Sequence, residues 1–340
     1  MSEHYWVAIR NQLVQEIELH AQPSAGSVAI LIHRLTLRAP KRAEWGDLCT
    51  NVAQLLGGSQ DGNCLLQADL IRGNLLGIDW VESASLADNG FLNITLKQDR
   101  LAPELSKIDE QGLSYGLTGL ATHCPAIEIE RPGETDDLLS LRQVWNGTYL
   151  QKLCELANVA FEVVPWPIPD LRGFSTSAAL SKCGPDLLRL ALLANGADFS
   201  VRFSPMLAID RNADNPVFFV PYAEARLQAL LADYPMTENI PFDGGLLALP
   251  AEINLMKKLV SWPMVVRNCL RDGDMVNLVA FLQQVSLLFF RLYEQEHIQS
   301  SDYLQENPQK SARLQLLRVT KGLLTGGLDL MDIQRAEEFI

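Results

Sequence analysis

Apolar residues recur at helical spacing near the start of the chain. Trp6, Val7, Ile9, Leu13, Val14 and Ile17 share one face of the Tyr5–Leu19 segment, which predicts an amphipathic helix. The apolar run from Ala29 to Leu37 then reads as a strand, and the segment from Asp47 to Leu56 is helical in pattern. After the turn residues Asp88, Asn89 and Gly90, the stretch from Phe91 to Leu96 alternates as a strand should. Residues 1–105 therefore read as an α+β domain.

The pattern changes after that. The run from Ala126 to Glu130 alternates and stops at Arg131-Pro132-Gly133, a helix is predicted from Asp137 to Ala157, and Phe161–Val164 is a second short strand. A β-α-β order over 106–182 suggests the remnant of an α/β nucleotide fold. Pro165, Pro167 and Pro169 then read as a linker, because proline lacks the N–H that ladders and helix interiors use. Beyond it almost everything is helical: Pro185–Asn195, Asp214–Ala232, Pro250–Asn268, Asp274–Glu296 and Ser311–Leu324 each carry an apolar stripe. Gly196, Pro235, Gly273 and Gly326-Gly327 stand where these helices should end or turn. Residues 183–340 are thus expected to form an all-α bundle.

Composition adds limits. With 340 residues, 48% of them hydrophobic and 20% charged, the chain can bury real cores. It carries no basic-then-apolar start and no long uncharged apolar run, so a cytoplasmic protein with no membrane partner is expected. Its cysteines (Cys49, Cys64, Cys124, Cys154, Cys183, Cys269) and histidines are dispersed without zinc-ligand spacing, so neither a metal nor a cofactor is expected. The net charge of −13 opposes a generic polyanion binder. That charge is uneven: Met1–Tyr234 holds 18 basic and 28 acidic residues, Pro235–Ile340 10 and 13. A local basic face in the last third is compatible with those numbers.

Three stretches resemble arginyl-tRNA synthetases, in family order. Gly46, Asp47, Asn51 and Ala53, then Gly90, Phe91 and Asn93, are similar to the family's N-terminal additional domain. There Asp47 is expected to favour a helix start and Gly90 a turn into a strand. Gly184-Pro185-Asp186 with Leu188 and Arg189, then Asp214-Asn215-Pro216-Val217 with Val220, Tyr222, Ala223, Ala225 and Arg226, resemble the segment that follows the family's lysine loop, with Pro221 and Glu224 as departures. From Ala251 to Ile333, Trp262-Pro263, Leu288-Phe289-Phe290 with Tyr293, and the run from Arg313 to Leu328 resemble the helical DALR anticodon-binding domain.

The same resemblance implies where chemistry should be. The family's His-x-Gly-His signature has no counterpart here, Glu134, Thr135, Asp136 and Asp137 standing in its place, and the lysine loop is missing around Ser175-Thr176-Ser177. Carboxylates at that point would repel ATP phosphates. The expectation is a truncated, catalytically degenerate relative, a pseudoenzyme without catalytic residues that binds tRNA, an arginine tRNA first, as an accessory or delivery factor. A protein partner such as a tRNA-modifying enzyme is conceivable by analogy, and the oligomeric state is open. The alternative is an acidic protein-interaction scaffold that no longer binds RNA. Candidate RNA-binding residues are Lys257, Lys258, Arg267, Arg271, Arg313, Arg318 and Lys321, with Tyr222 and Arg226 from the second stretch.

Overall fold

The structure, a computed structural model, describes residues 4–21, 25–40, 42, 45–57, 63–124, 126–132, 137–165, 175–196, 215–234, 243–298, 302–305 and 308–334. It forms two compact units, Met1–Leu101 and Ala102–Ile340. Residues 106–182 and 183–340, expected as separate domains, both fall in the second.

In the first unit, helix α1 (Tyr5–His20) buries Tyr5, Trp6, Ile9, Leu13 and Ile17 against α2 (Ala25–Arg34), α3 (Val52–Gly57) and α4 (Asn63–Leu76). Four antiparallel strands make the sheet: β1 (Leu37–Arg38), β2 (Leu48–Thr50), β3 (Val81–Leu86) and β4 (Leu92–Leu96), in the order β1-β2-β4-β3. The strand expected over Ala29–Leu37 is mostly helix α2. Its end is set by Asn51, whose Nδ2 donates to the Arg34 carbonyl at 3.1 Å while its Oδ1 accepts from Thr36 N–H at 2.8 Å. Asp47 does not start a helix either. It sits beside β4, donating its N–H to the Ile94 carbonyl at 2.8 Å and taking the Leu96 N–H on Oδ2 at 2.8 Å, and the helix begins five residues later. Gly46 is required for that approach: φ is +115°, and a Cβ there would lie 2.8 Å from the Ile94 carbonyl oxygen.

Helix α5 (Gln98–Gln111) leads into the second unit, where β5 (Ile127–Arg131) and β6 (Phe161–Pro165) pair in parallel, joined by α6 (Leu138–Ala157). Asp137 caps α6, accepting from the Leu139 and Ser140 N–H groups at 2.9 Å each. Glu134, Thr135 and Asp136, as well as Pro167 and Pro169, lie outside the described residues; Pro165 closes β6. Helix α7 (Thr176–Leu193) is broken at Gly184, which takes φ 72° and ψ 168° before Pro185 restarts the helix.

The bundle comprises α8 (Pro216–Ala232), α9 (Pro250–Val260), α10 (Trp262–Asp272), α11 (Val276–Gln295) and α12 (Lys310–Leu330). The helix expected over Pro250–Asn268 is two helices that meet at Ser261, with Pro263 in the first turn of α10. Long and apolar enough by composition to cross a membrane, α11 instead carries the bundle's core stripe: Leu278, Val279, Phe281, Leu282, Val285, Ser286, Phe289 and Leu292 are buried and it packs on α8, α9, α10 and α12. Gly326 and Gly327, expected as a turn, lie inside α12. There a Cβ on Gly326 would meet Leu113 at 2.9 Å and one on Gly327 would meet Leu282 at 2.6 Å, so the pair lets the helix approach its neighbours closely.

One polar network joins these pieces. Arg142 on α6, with no exposed side-chain surface, donates from Nη2 to Asp274 Oδ1 at 2.7 Å and from Nε and Nη2 to the Asn195 carbonyl at 2.9 and 2.7 Å. One turn on, Asn146 donates to the Gly273 carbonyl at 2.8 Å and accepts from Met275 N–H at 2.9 Å. Together they hold the α10–α11 turn against α6 and the end of α7. Removing one member of a buried pair strands the other charge, at a cost of about 3–5 kcal/mol. Arg142→Met is therefore expected to lower the unfolding free energy by about that amount, to be read in a urea titration followed by circular dichroism; an unchanged midpoint would mean that the pair contributes nothing net.

Candidate nucleic-acid interface

Asn215 and Pro216 start α8. The Asn215 side chain accepts from Val217 N–H at 3.2 Å, and a proline in the first turn loses no hydrogen bond. Four residues apart, Tyr222 and Arg226 lie on one face of this helix, the face toward α11. Tyr222 stands in a row of nearly parallel rings, 5.3 Å from Phe218 at 15° and 5.4 Å from Phe290 of α11 at 8°. All three rings are half-buried. Arg226 continues the row: its guanidinium lies 5.3 Å from the Tyr293 ring centroid, and Nη2 donates to the Tyr293 hydroxyl at 2.8 Å. Among the described residues Arg226 has no carboxylate partner. A half-exposed cation beside partly open aromatic rings is suited to an unstacked nucleobase and its phosphate.

The other sequence-predicted cations divide by partner. Arg313 is committed within the bundle, with Nε on Glu252 Oε1 at 2.8 Å, Nη1 on the Tyr303 carbonyl at 3.0 Å, and its guanidinium 4.3 Å from the Tyr303 ring centroid. Arg271 forks onto neighbouring Asp272 at 2.7 and 3.0 Å. Arg267 is buried at 7% exposure in α10. On α9, Lys257 is half-buried, while Lys258 hydrogen-bonds Gln284 and lies 5.2 Å from the Phe281 ring centroid. Arg318 donates to the Tyr234 carbonyl at 3.1 Å, just past the end of α8. Lys321 is half-buried between two α12 positions that touch the α8 segment, Arg318 and Thr325; the latter donates to buried Glu224 at 2.8 Å. Tyr222, Arg226, Arg318 and Lys321 therefore gather around α8, while Lys257, Lys258, Arg267 and Arg271 sit on α9 and α10.

Some residues of this surface are absent from the sequence-based set. Phe218, Phe290 and Tyr293 complete the ring row, and Lys310 lies 5.8 Å from the Tyr234 ring centroid. The spacing of Phe218 and Tyr222, and of Phe290 and Tyr293, at four and three residues was a signal that each pair lies along one helix face. That the two faces meet is set by tertiary packing.

In the first unit, Arg38, Trp45, Cys49, Asn89, Phe91 and Asn93 line a pocket of about 670 Å³. Arg38 lies 5.8 Å from the Phe91 ring centroid, and Trp45 is 43% exposed. Of the sequence-matched residues, Gly46, Asp47 and Asn51 are backbone staples, whereas Phe91 and Asn93 face the pocket. Burial raises the Cys49 thiol above its ordinary pKa, a shift opposed by Arg38.

Residues 220–339 match the DALR anticodon binding domain family. Arginine–tRNA ligases are the similar curated proteins: that of Thiobacillus denitrificans is 32% identical over 155 residues, 45% of this chain and 27% of that protein. The Bordetella petrii ligase is 29% identical over 152 residues, 44% and 26% of the two chains, and the Ruegeria pomeroyi ligase 25% over 199 residues, 55% and 34%. The matched segments thus cover 26–34% of these three relatives' length. Among solved structures, arginyl-tRNA synthetase from Plasmodium falciparum superposes with a TM-score of 0.68 at 9% identity, over 99% of this chain and 100% of that one, a likeness of fold. The expectation that the chain is not an enzyme is corrected by these relatives: they are ligases, and sequence signatures missing from a chain that matches about a quarter to a third of them do not exclude catalysis.

Lys258 on α9 gives the bundle a pH signature. Burial penalises its charged form and lowers its pKa from 10.5 to about 8. Below pH 8 folded and unfolded chains both hold the proton and the penalty is fully present; between 8 and 10.5 the unfolded chain binds more protons, so stability contributed by this group rises with pH. Lys258→Met should remove that rise. The check is a set of denaturation midpoints at pH 7, 9 and 10 for both proteins, whose difference should narrow as pH increases; a constant difference would place the ammonium in water.

Proposed function

We propose that this chain, an arginyl-tRNA synthetase-like protein with a DALR anticodon-binding domain, binds tRNA through the face formed by α8, α11 and α12 and serves as a tRNA-binding accessory factor. The observation that carries the reading is the junction of Tyr222, Phe290 and Arg226, with rings half-buried and a cation that no described carboxylate neutralises. Unpaired loop bases are bound by stacking on aromatic and guanidinium planes, and the phosphates between them by lysine and arginine. Lys321 supplies such a charge on the adjacent helix. An arginine tRNA is the first candidate ligand because the relatives are named as arginine–tRNA ligases. The overall charge of −13 restricts binding to this local face and favours selectivity over general RNA affinity.

A salt titration against arginine tRNA, total tRNA and an unrelated RNA duplex tests the proposal. Selective binding to the arginine tRNA is expected. Tyr222→Ala should weaken it by about 1–3 kcal/mol, the worth of one base stacked on an aromatic ring, with the salt slope unchanged. Lys321→Ala should flatten the slope by roughly 0.7–0.9, one phosphate contact, for every RNA bound. Absence of tRNA binding at low salt would end this reading and favour the protein-interaction scaffold.

A further inference from the structure

We infer that Tyr293 is the positioning residue for Arg226: its hydroxyl holds the guanidinium in the orientation in which it meets RNA. This rests on the tRNA-binding role proposed above. The Tyr293 ring is itself wedged, 5.7 Å from Phe289 and 6.3 Å from Phe290, the latter nearly edge-on, so its hydroxyl has a defined place at the α8–α11 seam. Arg226 Nη2 donates to that oxygen at 2.8 Å, the one hydrogen bond the guanidinium makes among the described residues. Its other N–H donors have no described partner, and a guanidinium carries five in a fixed planar fork. One donor taken by Tyr293 therefore fixes the plane in which the remaining donors lie.

The arrangement differs from those of Arg313 and Arg271, which are fixed by carboxylates that also neutralise them. A phenol hydroxyl orders Arg226 and leaves its charge intact. A side chain ordered before the ligand arrives loses less conformational freedom on binding. Phe290 contacts both Tyr222 and Tyr293, so the stacking row and the oriented cation share one support on α11. The consequence is that Tyr293 acts on RNA through Arg226, as a specificity-determining neighbour that need not touch the ligand.

The test uses the full chain and the anticodon stem-loop of an arginine tRNA, with binding followed by fluorescence anisotropy for wild type, Tyr293→Phe, Arg226→Ala and the double variant. Tyr293→Phe keeps the ring packing and removes only the hydroxyl. It should weaken binding by up to about tenfold, the cost of ordering one long side chain when the ligand binds. The change should fall in the dissociation rate, and the thermal midpoint should stay at the wild-type value. In the Arg226→Ala background the same substitution should have no further effect. Equal affinity of Tyr293→Phe and wild type overturns the assignment while leaving tRNA binding intact. So does an unchanged loss in the Arg226→Ala background, which would show Tyr293 acting independently of Arg226. A lowered thermal midpoint identifies a structural role instead. If wild type itself fails to bind, the proposed function falls and this inference falls with it.

Discussion

Arg142 is a guanidinium without exposed surface, and the direction of the long apolar helix α11 depends on how its charge is satisfied. A buried cation is tolerated only when paired and hydrogen-bonded. Here the pairing atom belongs to Asp274, the residue at the turn into α11, and the same carboxylate oxygen also accepts the Val276 N–H at 2.9 Å. Asn146, one turn further along α6, takes the N–H of Met275, between these two residues. Two successive residues at the entrance to α11 are thus tied to one helix. The rotational phase of α11 is set at its first turn, and an α-helix conveys that phase along its length because each residue advances by a fixed angle. About four to five turns later the phase decides where Phe290 and Tyr293 stand. The polar network at one end of α11 and the aromatic row at the other are in this sense a single arrangement.

The row is the feature that makes the proposed nucleic-acid face compatible with an acidic chain. Charge summed over 340 residues governs long-range attraction, but stacking is a short-range interaction that depends on ring exposure and support. Tyr222 has neighbours on both sides at more than 5 Å with nearly parallel planes, an offset geometry that keeps part of each ring accessible. Glu224, one of the departures from the resembled motif, accepts the Thr325 hydroxyl on α12. Its carboxylate therefore joins α8 to α12 and adds no negative charge beside Arg226. The departure from the motif is absorbed as a helix–helix contact.

What the sequence discloses about this molecule follows from the range of each interaction. The stripe on α11 and the spacing of Tyr222 and Arg226 are local periodicities and can be read directly. Ala29–Leu37 cannot: a short apolar run is compatible with either period, and the contact that ends the helix comes from Asn51, seventeen residues after Arg34. Pro263 was compatible with a continuous helix over Pro250–Asn268 only if a kink was allowed, and the chain instead starts a new helix there. Gly326-Gly327 invited the opposite error. Two glycines in a row suggest a stop, yet their function inside α12 is proximity to Leu113 and Leu282, residues far away in sequence.

The cations show the same limit more sharply. Arg313 and Arg226 are indistinguishable as sequence symbols, since both lie on amphipathic helices within motifs that resemble the same family. The difference arises from residues at a distance: Glu252, 61 positions before Arg313, neutralises it, whereas Arg226 meets a tyrosine hydroxyl 67 positions later. One environment consumes the charge in stabilising the bundle and the other orients it without cancelling it. For a protein with this composition, availability of positive charge is decided by such pairings rather than by the number of lysines and arginines. A basic residue count over Pro235–Ile340 therefore overstates the charge free of carboxylate partners, while Arg226, just before that stretch and counted with the acidic majority, meets a tyrosine hydroxyl and no described carboxylate.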